Sequence, residues 1–294
     1  MARGNPYPVG VTAAALLLVF GAAVLHAGWN ALTKRAGDPV VFLWWVGLVA
    51  SVLYAPVALT VLAQQGFRAA AIPFVIGTIV LHALYFFSLG RAYAFGDYSL
   101  VYPIARGLGV ALVPAAALLL FDERLSPLGS LGIALVAAGI FGLHWRRGAW
   151  TRAALTASGT GWALATGVLI AAYSLLDRAG VACISPLAYI WLMETGSCVL
   201  LTPVALAKGD AVRREWRANR TTILAAALMS PTAYVLVLFA FQLSKTGYVV
   251  AAREMSIVLS AIIGSVWMKE GALGRRLAGA GVVLAGVVCV ALAR

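Results

Sequence analysis

Charge is scarce in this chain. Asp, Glu, Lys and Arg supply 11% of its 294 residues, and only ten residues are acidic, whereas 63% are hydrophobic and the mean hydropathy is +0.95. A soluble domain of ordinary composition is excluded, and the chain is a membrane protein. Alternation with period two is missing, and the apolar runs are too long for barrel strands, so helices are the way to satisfy the backbone in lipid. Cysteine is limited to Cys183, Cys198 and Cys289 with no CxxC spacing, which excludes a disulfide framework and a zinc site. The three histidines, His26, His82 and His144, have no acidic neighbour at metal-ligand spacing. No P-loop is written, so hydrolysis-driven transport is not supported. HExxH, GxSxG and dense Asp/His groups are absent too, which argues against an enzyme, and no cofactor is implied.

Long apolar runs are what the chain does have. A spanning helix needs about 20 mostly apolar residues. Ten stretches qualify: Val9–Leu32, Pro39–Leu62, Ile72–Ala94, Ser99–Phe121, Leu128–Leu143, Gly159–Leu176, Pro186–Ala207, Ile223–Phe241, Thr246–Met268 and Leu273–Leu292. The expected fold is an all-α polytopic membrane protein of ten transmembrane helices. The octet VLYAPVAL at 52–59 returns as VLLTPVAL at 199–206, 147 residues on. The same shift carries Trp44 to Trp191, Arg106 to Arg253, Glu123 to Glu270 and Gly132 to Gly279. Upstream of Pro39 the shift is 143, matching Arg35-Ala36-Gly37 to Arg178-Ala179-Gly180. The chain is therefore an internal duplication within one membrane domain, residues 1–148 and 149–294. Five spans per copy is an odd number, which turns the second copy upside down relative to the first. Inverted repeats of this kind characterise secondary transporters, with the substrate near the bilayer midplane.

The net charge of +12 does not point to nucleic acid, because the basic residues are scattered over short loops. Loops at Lys34/Arg35, Arg146/Arg147/Arg152, Lys208 to Arg220 and Lys269/Arg275/Arg276 share one side and hold thirteen Lys and Arg, against six on the other. By the positive-inside rule those loops are cytoplasmic and both termini lie outside. The first span, with Arg3 upstream and no convincing cleavage site, is expected to stay as a helix.

YPIARGLGVALVPAAALLLFDERLSPLGSLGIALVAAGI closes the first copy and AAREMSIVLSAIIGSVWMKEGALGRRLAGAGVVLAGV the second; in each, an acid after the fourth helix is followed nine residues later by Gly. With the five-plus-five organisation, these stretches resemble the drug/metabolite transporter superfamily, and within it the ten-helix EamA-type carriers. The resemblance spans essentially the whole chain. It implies export of amino acids or related metabolites, aromatic amino acids among them, across the bacterial inner membrane. The small four-helix relatives use an acid in their first helix, whereas this chain has none between Arg3 and Asp38.

Ionisable groups inside spans are costly and face a cavity or a partner. Tyr98, Tyr102 and Arg106 share one face of helix 4, and Arg253 and Ser256 lie on helix 9 at the matching depth. An arginine fork suits a substrate carboxylate; the alternative is a structural ion pair with Glu194 or Glu254. Arg106 is the arginine expected nearer the substrate, because the two tyrosines share its face. His82 and Tyr85 on helix 3, Asn30 on helix 1, Trp162 and Tyr173 on helix 6 and Tyr234 on helix 8 complete the cavity candidates. An aromatic pocket would hold flat or apolar side chains; packing between helices is the alternative. His82 and Glu194 are also candidates for a proton relay. The glycines of helices 5 and 10 are expected to be packing surfaces, with a dimer seam as the alternative. Helices 1, 3 and 4 should therefore meet 6, 8 and 9 around a central cavity, supported by 5 and 10. A polytopic enzyme or a non-transporting scaffold would instead show an interfacial catalytic cluster or a dry core.

Overall fold

The computed structural model describes residues 12–33, 36–95, 98–144, 158–259 and 273–293. Ten α-helices occur among the described residues: α1 Ala13–Thr33, α2 Pro39–Gln65, α3 Ile72–Phe95, α4 Tyr98–Phe121, α5 Pro127–His144, α6 Ser158–Gly180, α7 Pro186–Leu206, α8 Asp210–Leu243, α9 Thr246–Arg253 and α10 Leu273–Leu292. Six stretches, in α2, α3, α4, α6, α7 and α8, are long and apolar enough to cross a membrane; α1, α5 and α10 contain shorter apolar runs. The surface is inverted relative to a soluble protein. Leu119 is 85% exposed and Leu17 72%, whereas Asp177, Glu254 and Arg253 are 0%, 1% and 5% exposed. Lipid is the medium that tolerates this arrangement.

Helix pairing follows the duplication. α1 packs on α8 and α3 on α6; α4 on α6 and α9 on α1; α2 on α8 and α7 on α3; α4 on α5 and α9 on α10; α2 on α7 and α5 on α10. Exchanging each helix for the one five places away leaves this set unchanged. The packed groups mix the copies, since α1 joins α8 and α9 while α6 joins α3 and α4.

Three pairs are formed by helices that are each other's repeat mates, α2 with α7, α5 with α10 and α4 with α9. Between α2 and α7, Trp191 Nε1 donates to Ser51 O at 2.8 Å, and in return Cys198, the mate of Ser51, donates to the carbonyl of Trp44, the mate of Trp191, at 3.7 Å. The duplicated octets thus place Pro56 in α2 and Pro203 in α7, the proline of each copy. Between α5 and α10 the contact is glycine on backbone. A Cβ on Gly132 would stand 2.6 Å from Gly286 O, and one on Gly139 would stand 3.0 Å from Gly279 O. Small residues let the two backbones touch. Gly142 and Gly281 face open space instead, so they do not belong to the seam.

Two spans depart from expectation. α8 begins at Asp210 rather than Ile223, because Val212, Glu215, Trp216 and Asn219 recur on one helical face and pack inward. Glu215 accepts from Asp38 N at 3.0 Å, Trp45 Nε1 donates to Val212 O at 3.0 Å, and Asn219 (φ −125°, ψ 17°) breaks the helix before its apolar part. α9 does not run on as a regular helix. At Glu254 the ladder tightens to i→i−3 bonds, Glu254 N to Ala251 O at 3.1 Å and Ile257 N to Glu254 O at 2.9 Å, before residues 255–259 turn helical again.

The α4–α5 connection is fixed to the start of α9. Thr246 N and Oγ1 donate to the buried Glu123 carboxylate at 2.7 and 2.8 Å, and Arg178 Nε lies 3.9 Å away. Burial pushes the Glu123 carboxyl above its ordinary range, opposed by the Thr246 donors and the Lys245 ammonium. Glu270, its repeat mate, and the flanking Lys34, Arg35, Arg146, Arg147, Arg152 and Lys269 lie outside the described residues.

Candidate functional site

A central cavity of about 110 Å³ opens between the two packed groups. His26 and Trp29 of α1, His82, Tyr85 and Phe86 of α3, Arg106 of α4, Tyr173 of α6, Tyr234 of α8 and Arg253 of α9 line it. α5 and α10 contribute nothing among the described residues. α2 and α7 supply a further wall, with Trp44 and Gly47 from one and Met193, Glu194, Ser197 and Cys198 from the other, of which Glu194 alone is a candidate from the sequence. The lining comes from the C-terminal half of α1, the N-terminal part of α2 and the C-terminal half of α7. The cavity therefore extends from mid-bundle toward the end that carries the 1–2 and 7–8 connections.

The far end is tied shut by hydrogen bonds. Asp177, near the end of α6, accepts from Tyr189 Oη of α7 at 2.7 Å and from Tyr234 Oη of α8. Above this knot lies an aromatic cluster. The His82 and Tyr173 rings are 4.3 Å apart, with Tyr234 5.6 Å from His82 and Tyr85 5.5 Å from Tyr173. His82 Nδ1 is turned back onto its own helix, 3.0 Å from Thr78 O.

The two arginines differ in partnership. Arg106 forks onto Glu254, Nη2 to Oε1 at 2.9 Å and Nε to Oε2 at 3.1 Å, both residues buried. Nε donates a charge-assisted hydrogen bond, while Nη2 meets Oε1 at ion-pair distance without hydrogen-bond geometry. Arg253 has only Tyr173 Oη, at 3.5 Å from Nη2; its Nε is buried without an acceptor, and no carboxylate pairs with it among the described residues. Trp29 Nε1, in the same cavity, is likewise a buried donor without an acceptor.

Other candidates fall elsewhere. Trp162 does not line the cavity; it stands edge-on to Phe87 at 5.8 Å and under the Arg91 guanidinium, at the α3–α6 contact. Ser256 is buried beyond the break in α9, and Glu254 sits behind Arg106 rather than in the cavity wall. The side chains of Asn30, Tyr98 and Tyr102 lie outside the described residues. No cluster of metal-ligating side chains occurs among the described residues.

A family model described as the EamA-like transporter family matches residues 157–292, and one described as Small Multidrug Resistance protein matches residues 43–136. The chain belongs to the drug/metabolite transporter superfamily. A solved crystal structure, described only as that of a protein, is 16% identical, covers 95% of this chain and 97% of its own, and superposes with a TM-score of 0.74. That likeness concerns the fold. No curated protein matches the sequence.

In this membrane transporter the cavity joins an aromatic floor, the buried donors Trp29 Nε1 and Arg253 Nε and the Glu194 carboxylate. Trp44, Ser197 and Cys198 are the wall residues that inspection for polar stripes passed over. Two signals for them were present, the repeated tryptophan Trp44/Trp191 and the lone acid Glu194, each marking a helix that faces something other than lipid.

Proposed function

We propose that the protein is a secondary transporter that exports amino acids across the bacterial cytoplasmic membrane by alternating access of the central cavity. The supporting observation is Arg253, a guanidinium buried in the cavity wall with a hydrogen-bonding edge left empty. A buried donor without an acceptor costs about 1–3 kcal/mol, more when charged, and a ligand carboxylate removes that cost. Arg106, occupied by Glu254, then serves structure, and Trp29 Nε1 supplies a second donor. The aromatic floor of His82, Tyr85, Tyr173 and Tyr234 takes a flat or apolar side chain.

With the basic loops in the cytoplasm and the termini outside, the cavity faces the cytoplasm, the side from which an exporter loads. Switching brings α1, α8 and α9 across α6, α3 and α4, opening the Asp177 knot at the other end. Reconstituted protein should carry labelled amino acids into liposomes above the protein-free rate, with a rate that responds to an imposed pH gradient. Arg253→Gln, reconstituted at equal amount, should lower apparent affinity about tenfold to a hundredfold. Absence of flux for every amino acid in either gradient direction, or flux indifferent to Arg253→Gln, overturns the reading.

A further inference from the structure

Glu194 is the cavity's unclaimed carboxylate. It lies in the middle of α7 and lines the cavity, and among the described residues no hydrogen-bond donor or basic side chain holds it. Its back is walled by Ala50 and Tyr54 of α2 and Pro231 of α8, a crevice without a cation. Across from it is Gly47, where a Cβ would stand 3.4 Å from Cys198 Cβ and 3.9 Å from Glu194 Oε2. Gly47 is also its repeat mate, so duplication set an acid in one copy against a hydrogen in the other. Neither buried arginine is bound to it, since Arg106 forks onto Glu254 and Arg253 reaches Tyr173.

We infer that Glu194 is the recognition site for a cationic group of the substrate, a primary ammonium above all, so that the cavity binds bipolar molecules with the carboxylate toward α9 and the ammonium toward α7. The inference rests on the transport reading above and adds the half of the substrate that Arg253 leaves unread. A carboxylate taken out of water needs a counter-charge. The protein supplies none here among the described residues, and the cavity that Glu194 lines is where a ligand brings one.

The test uses full-length protein in detergent and three probes of one shape: phenylalanine, phenethylamine, which lacks the carboxylate, and phenylpropionate, which lacks the ammonium. Glu194→Gln should weaken phenylalanine and phenethylamine about tenfold to a hundredfold and leave phenylpropionate unchanged, while Arg253→Gln does the reverse for the two single-charge probes. A second measurement needs no variant. Carbodiimide labelling of Glu194 in the unaltered protein, mapped by mass spectrometry, should be slowed by phenethylamine and not by phenylpropionate. If phenylpropionate binding depends on Arg253 while phenethylamine neither depends on Glu194 nor protects it, the inference falls and the transport reading stands. If none of the three binds the unaltered protein, both fall.

Discussion

Duplication copied an arginine into both halves but kept an acid beside only one of them. The repeat mate of Glu254 is Gly107, so two arginines related by the pseudo-two-fold share a single carboxylate, and the structure gives it to Arg106. Arg106→Ala should leave Glu254 buried and unpaired, a change that costs about 3–5 kcal/mol in soluble proteins. Thermal unfolding in detergent should show a large loss for that variant and a recovery of most of it when Glu254→Gln is added to Arg106→Ala. A double variant as fragile as the single one would refute the structural role. Sequence alone could place both arginines at one depth but could not assign the acid. Glu254 follows Arg253 in the chain, and neighbours in a helix point in different directions, so the adjacent pair is the one that does not meet. The choice between them depends on how α4 and α9 are rotated, which side-chain packing sets and residue spacing does not.

At the scale of elements, the glycines of α5 and α10 look alike in sequence and are not alike in space. Gly286 has no clearance from Gly132 O and Val136 N, 2.6 and 2.7 Å from the Cβ it lacks, while Gly281 has nothing within reach. Gly286→Leu should therefore abolish or severely reduce the folded, monodisperse fraction, whereas Gly281→Leu should leave it unchanged; overpacking in well-packed interiors costs about 1–3 kcal/mol even when neighbours yield. Size-exclusion profiles of the two variants decide it, and equal profiles would remove the seam from the fold's supports. Helix positions were legible because apolar runs of membrane length announce themselves. The start of α8 was not, since Asp210 to Arg220 is too charged to register as a span, and its helicity rests on the inward face formed by Val212, Glu215 and Trp216. The tightening at Glu254 was hidden for a different reason, as no proline or glycine marks it.

For the whole molecule, the fixed offset of 147 residues predicts a five-plus-five organisation, and the principal helix pairs exchange into one another under it. The cavity's membership was only partly legible. Polar and aromatic stripes pointed to α1, α3, α4, α6 and α9 and repeat symmetry to α8, but α2 and α7 carry mostly apolar side chains into the wall, and an apolar side chain facing a cavity looks the same in sequence as one facing lipid. The glycine seam has a mechanical consequence. Backbones that touch at Gly132 with Gly286 and at Gly139 with Gly279 cannot slide by a residue without driving Val283 or Val290 into the opposing chain. α5 and α10 are thus the spine of a book, and the covers, α1 with α8 and α9 and α6 with α3 and α4, can open toward either face only by turning about it. Spin labels at Leu128 and Leu292, both on the spine, should keep one separation whether the protein is empty, loaded or locked facing either side. Labels at Val24 and Leu164, one on each cover, should report a separation that changes with every turn of the page.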